Sequence, residues 1–279
     1  FDPADTEELR IDLHGGDDHA VVQGVGGEIT VRIMGGGGDD QLEDRGRGPT
    51  ALYDSRGENR IVPGRNSHVD TRSYDPPEEP DDLLPSDDSD WGTSVSISPV
   101  ADWRSHVGVV VGGSISRTSH GFRQHPFTSR HSFTGLISPL KGRGGLEYRG
   151  IMPRENSDRW LELRGDATSM NAVRFHGFGN ATDPAGSASR VWLRELSFAA
   201  FWHVPISRSA ELVAGPLVKH SDPSFDPDSP VATLLPLGAE PLGQLHTSAS
   251  VLVDSRDDEW FPTRGAEAEL TGLVAPPVW

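Results

Sequence analysis

The sequence predicts an all-β protein, and three observations carry that prediction. Apolar and polar residues alternate with period two, most clearly where Leu196, Phe198, Ala200, Trp202, Val204 and Ile206 interleave with Ser197, Ala199, His203 and Ser207. Such alternation places successive side chains on opposite faces of a strand. About nine such runs recur between residue 91 and the end, with turn residues between them. No stretch carries a credible amphipathic helix pattern, so a barrel or a sandwich is expected.

The stretch Val251 to Gly272 makes the pattern explicit. Val251 and Val253 alternate with Leu252 and Asp254, Ser255 to Asp258 break the run, and Ala266, Ala268 and Leu270 then alternate with Glu267 and Glu269. A sheet with one face apolar and the other charged is what a wall between hydrocarbon and water requires. The other expected strands are Thr93 to Trp103, Ser105 to Arg117, Arg130 to Leu140, Gly144 to Ile151, Trp160 to Ser169, Val191 to Ile206 and Ala210 to Lys219. Tryptophans at 91, 103, 160, 192, 202, 260 and 279 fall near strand ends, as in an interfacial girdle, although a sandwich core would give a similar set.

Charge divides the chain. Residues 1–90 hold 23 Asp plus Glu against 8 Lys plus Arg, a net of -15, which leaves -2 of the total of -17 for residues 91–279. So acidic a segment is unsuited to nucleic acid, whose phosphates are neutralised by Lys and Arg; a cation is the better partner. There is no cysteine, hence no disulfide framework and no Cys-based zinc site. No apolar run reaches the roughly 18–20 residues of a membrane helix, but membrane strands leave only a weak hydropathy trace. The chain begins at Phe1 without a visible signal peptide, which is the expectation for a processed chain or an excerpt.

Three segments are expected. In residues 1–64, Ile11-Asp12-Leu13, Val31-Arg32-Ile33 and Ala51-Leu52-Tyr53 each lead into a Gly/Asp turn, at a step of about twenty residues. This predicts a small β-coil or meander stabilised by stacking. Residues 65–90, rich in Pro and acid, read as a linker, and residues 91–279 as the main β-domain.

Gly35-Gly36-Gly37-Gly38-Asp39-Asp40-Gln41-Leu42-Glu43 resembles the haemolysin-type (RTX) nonapeptide at every fixed position. The resemblance implies calcium held by turn carbonyls and carboxylate, with Gly36, Gly38, Asp40 and Asp18 as candidate ligands. The alternative is a Gly/Asp turn in a β-coil, where positive φ is easily adopted. Around Asp18 only Gly16 and Asp18 fit, and the gap from Asp18 to Asp40 is 22 residues, not the 18 that alternate nonapeptides need.

Three further motifs resemble the bacterial surface antigen barrels of the outer-membrane assembly and transport superfamily. They are Gly121-Phe122-Arg123 with Pro126-Phe127 and His131, then Val173 to Thr182 with its Phe178-Gly179-Asn180-Ala181-Thr182 end, then Asp254-Ser255-Arg256-Asp257 followed by Phe261-Pro262-Thr263-Arg264-Gly265. The resemblance implies an antiparallel transmembrane β-barrel in the outer membrane of a Gram-negative bacterium, in contact with outer-membrane lipid and acting on a translocated or inserted polypeptide, with the acidic segment in the periplasm. That family has sixteen strands and a Val-Arg-Gly-aromatic motif in the lumen. Here about nine strands are expected, Val173-Arg174 stands in another context, and Pro276 and Pro277 replace a closing strand, so a partial barrel is the expectation.

No catalytic motif stands out. Asp12-Leu13-His14 resembles the first metal motif of the metallophosphoesterases, but the ligands that should follow are missing, so a hydrolase is expected only ahead of this segment. His120, His125 and His131 do not share a face and read as scattered loop residues. Glu267, Glu269, Glu162 and Arg164 suit a solvated lumen wall. Against the barrel stands a secreted calcium-binding β-module whose residues 91–279 form a soluble sandwich.

Overall fold

A computed structural model describes residues 1–24, 27–74, 90–178, 189–258 and 260–275. The chain divides into two compact units, Phe1–Glu78 and Glu79–Trp279. Strands dominate both, and the only helix among the described residues is the single turn α1 (Pro230–Leu234).

The first unit is a parallel β-coil. Strands β1 (Glu8–Asp12), β3 (Thr30–Met34), β5 (Thr50–Tyr53) and β7 (Ser67–Asp70) stack into one sheet, and β2 (His19–Val22), β4 (Gln41–Asp44) and β6 (Arg60–Val62) into the other. All pairs are parallel, which selects the coil over the meander. Ile33, Leu42 and Leu52 form the buried core, with Ile11, Leu13, Ala20, Val22, Val31 and Ile61 against them. One coil alone could not enclose these side chains, so burial comes from the neighbour above and below. The step is not constant. Glu8 pairs with Thr30, Val31 with Thr50 and Thr50 with Ser67, so the coil shortens from 22 to 19 to 17 residues. The last strand, β7, falls within the stretch that composition marks as linker; residues 75–89 of that stretch lie outside the described residues.

The second unit is a nine-stranded antiparallel meander: β8 (Thr93–Arg104), β9 (Gly108–Gly121), β10 (Gln124–Ser138), β11 (Arg143–Pro153), β12 (Trp160–Phe175), β13 (Ser189–Ser207), β14 (Ala210–Ser224), β15 (Leu242–Asp254) and β16 (Glu267–Val274). Each expected strand has its counterpart, several of them longer than the sequence pattern suggests. Every strand pairs with its sequence neighbour, and β8 and β16 are the edges of an open sheet among the described residues. The antiparallel expectation therefore holds, whereas closure into a barrel, which needs the two edges to pair, is not a feature of these residues.

Candidate functional site

In an antiparallel ladder, directly opposed residues share a face, so register sorts the side chains of the second unit. Ile97, Ile115, Phe133, Tyr148, Gly165, Phe198, Val218 and Leu245 form one unbroken row across eight strands. One residue along, Ser98, Ser114, Thr134, Glu147, Asp166, Ser197, Lys219 and Gln244 form a second row on the opposite face. Along these two rows one face is apolar and the other polar, and the second face also buries an apolar cluster of Val107, Val110, Leu136 and Met170.

The apolar face is the open one. Ile97 is 77% exposed, and Val95, Trp103, Val109, Val111, Ile115, Phe133, Ile137, Leu146, Leu196, Phe198, Trp202, Val218, Val251, Val253, Leu270 and Val274 are all exposed on that side. The polar face contains the buried groups. Glu162 is only 2% exposed. Its carboxylate accepts from Arg149 Nε at 2.7 Å and Arg164 at 2.8 Å, and lies 3.2 Å from His203 Nε2. His203 Nδ1 meets Glu211 at 3.1 Å, and its ring stacks on Trp160 at 4.4 Å between centroids. Along the same face Arg104 pairs with Glu147 at 3.4 Å, and Lys219 with Glu195. Hydroxyl pairs Ser132–Ser116 and Thr134–Ser114 complete the wall at 2.9 and 3.0 Å. A depression of about 500 Å³ opens there, lined by Ser132, Arg149, Arg164, Asp166, Ser197 and Phe201 among others. Glu267 and Glu269 also lie on the polar side, because Glu269 opposes Leu252 and Leu252 opposes Glu211.

In the turn from Asp254 to Gly265 the three aspartates and the glycine each have a structural role. Asp254 pairs with Arg256 at 2.7 Å. The Asp257 carboxylate accepts from the amides of Thr263 and Arg264 at 2.9 and 3.0 Å, and Asp258 from those of Trp260 and Phe261 at 2.8 and 2.7 Å. Gly265 sits at φ +90°, where a Cβ would strike the carbonyl of Ser255. Phe122 and Arg123 form the two-residue connection between β9 and β10, and Val173 lies on β12, while Gly179 to Thr182 are outside the described residues.

The histidine expectation needs correction. His131 is on β10, with Nδ1 2.9 Å from the Tyr148 hydroxyl, and His120 is on β9 with Nδ1 buried. Asp12 instead caps its own turn, accepting from the amide of His14 at 3.0 Å. Among the described residues no group of three or more His, Cys, Asp or Glu converges as a metal cluster.

The expected calcium ligands occupy the stacked turns of the coil. Gly16 donates to the Gly37 carbonyl at 2.8 Å and Gly37 to that of His14 at 3.0 Å, so these turns bond each other directly. Gly36 and Gly38, at φ +97° and +130°, allow that approach, because a Cβ on either would enter the carbonyl of His14 or Gly16. Asp40 Oδ1 accepts from the amide of Asp18 at 2.8 Å, and the Asp40 amide donates to Asn59 at 2.8 Å. Asp18 and Asp40 therefore stand in one ladder. Sequence reading did not single out Asp54, which is brought to Asp40 by register alone, nor Arg149, His203 and Glu211, whose convergence on Glu162 spans four strands.

Comparison with known protein families, characterised proteins and solved structures gives no match.

Proposed function

We propose that residues 91–279 form part of the wall of an outer-membrane β-barrel of the surface antigen type, whose polar face lines a hydrated path for a polypeptide being translocated or inserted. The observation that carries this reading is the inverted sheet: an apolar face open across eight strands, backed by a polar face that buries Glu162. In water so extended an exposed apolar face would be a strong driver of association; against lipid it is the lower-energy arrangement. The dimensions agree. The run Leu196 to Ile206 extends about 33 Å at ~3.3 Å per residue, or about 23 Å across a bilayer at 45° tilt, close to the ~25 Å apolar band of such barrels. The three motifs resembling the surface antigen family support the family assignment.

Connection lengths support an orientation. At one end of the sheet the connections are residues 122–123, 154–159, 208–209 and 255–266, and at the other 105–107, 139–142, 176–188 and 225–241, so the two longest lie at the second end. Outer-membrane barrels put short turns in the periplasm and long loops outside. β8 begins at the first of these ends, which this reading places in the periplasm.

Phe198, at the middle of β13, tests the reading. In refolding into lipid vesicles, Phe198→Arg should destabilise the inserted state by about 2–4 kcal/mol, the range for Arg at a bilayer midplane, while Ser197→Arg on the polar face should cost much less. A wild-type chain that is a folded monomer in buffer without detergent overturns the proposal.

A further inference from the structure

The first unit contains two carboxylates whose geometry the ladder of turns does not explain. Asp40 and Asp54 are 2% and 5% exposed, and among the described residues Oδ2 of each is buried without a hydrogen-bond partner. Their Oδ1 atoms are engaged, Asp40 with the amide of Asp18 and Asp54 with that of Arg56 at 3.3 Å. The free oxygens converge on one point: a Cβ placed on Gly35 would collide with both. The convergence follows from register. Met34 pairs with Tyr53, so the next residues along, Gly35 and Asp54, are neighbours at the strand ends, and the missing side chain at Gly35 leaves the space into which Asp54 and Asp40 reach. Two ionised carboxylates this close in a dry interior repel strongly, and unpaired buried charges are costly. A cation beside them, or a proton shared between them, would relieve that repulsion.

We infer that the Asp40–Asp54 pair, at the gap left by Gly35, is a binding site for a divalent cation of the calcium type. Hard oxygen donors are what calcium takes, and it tolerates the irregular sets that backbone and side-chain oxygens provide. Beside Asp54 a groove of about 310 Å³, lined by Ser55, Gly57, Asn59 and Thr71, gives access and further oxygens. The strong negative charge of residues 1–90 favours a cation at this place over an anion. The site differs from the one that the nonapeptide implies, since it uses Asp54 and the interior of the coil, and the turn glycines bond each other. It is independent of the membrane assignment of residues 91–279.

The test is calorimetric titration of the full chain, solubilised in detergent micelles, with calcium chloride after removal of metal by chelator. Binding with a Kd in the range of about 0.1–1 mM, typical of extracellular calcium modules, is expected, weakened at least tenfold by Asp54→Asn or Asp40→Asn and unchanged by Asp39→Asn, whose carboxylate is on the exposed turn ladder. Hydrogen exchange of the β3 and β5 amides checks that each variant keeps the coil, and the same amides should gain protection with calcium in the wild type. Absence of calcium heat in the wild type overturns the inference. So does coil protection that responds to pH but not to added calcium, for then a proton shared by the two carboxyl groups relieves the repulsion.

Discussion

Glu162 joins four strands through one carboxylate, being held by Arg149 on β11, Arg164 on its own strand β12 and His203 on β13, which in turn meets Glu211 on β14. The arginines are more than half exposed and can be rehydrated, whereas the carboxylate cannot. Glu162→Gln keeps the shape and removes the charge, and should cost about 1–3 kcal/mol, the range for leaving buried polar partners unsatisfied; Arg149→Gln should cost less. Urea unfolding in micelles measures both, and equal losses would count against Glu162 as the hub. Asp54 gives a second prediction at this scale. Burial, then the charge of Asp40, hold its carboxyl above the ordinary range, although the amides of Arg56 and Ser55 pull the other way. The folded coil therefore binds more protons than the unfolded chain between the ordinary and the raised value. Stability is full below that window and falls as pH rises through it. With chelator present, protection of the β3 and β5 amides, corrected for intrinsic exchange, should decline on raising pH from about 4, the ordinary carboxylate range, and Asp54→Asn should flatten the dependence.

The turns decide how the elements hold together. Gly57 sits at φ +101°, and a Cβ there would strike the Gly38 carbonyl of the coil beneath. Gly57→Ala should therefore destabilise the first unit by more than the ~1–2 kcal/mol of the left-handed conformation alone, seen as lost exchange protection in β5 and β6 with β8–β16 unchanged. In the hairpin from Val251 to Gly272, the Thr263 hydroxyl and then the Arg264 and Thr263 amides hold Asp257 down to about 2. That contribution is present above the unfolded value and lost as pH falls toward 2, so the Thr263 and Arg264 amides, corrected for intrinsic exchange, should lose protection below about pH 4. These turns also mark what the sequence makes legible. Alternation located all nine strands of the second unit, because its period survives whichever neighbour a strand takes. Glycine and aspartate located the turns, because positive φ and side-chain capping are local. The register was hidden: the coil steps by 22, 19 and 17, not by twenty, and the Asp40–Asp54 pair exists only in that register. The reading of the histidines as loop residues failed for the same reason, as β9 and β10 run beyond the apolar alternation.

On the scale of the whole molecule, the two rows that cross β8 to β15 make a prediction no single residue makes. A wall between lipid and water must alternate at every strand, so its two faces differ in what they touch and not only in how open they are. The chain has no cysteine, so single substitutions can be labelled without background. In vesicles, labels at Ile97→Cys, Phe133→Cys, Phe198→Cys and Val218→Cys should be quenched by spin-labelled lipid. Labels at the next residues, Ser98→Cys, Thr134→Cys, Ser197→Cys and Lys219→Cys, should be quenched by a water-soluble agent instead. A soluble sandwich gives another pattern, with the apolar row closed to both quenchers and the polar row open to water. An oligomer with the apolar faces packed together gives that same pattern in vesicles. Lipid quenching on the apolar row at all four strands is therefore the outcome that the membrane wall requires, and its absence at two or more would remove that reading.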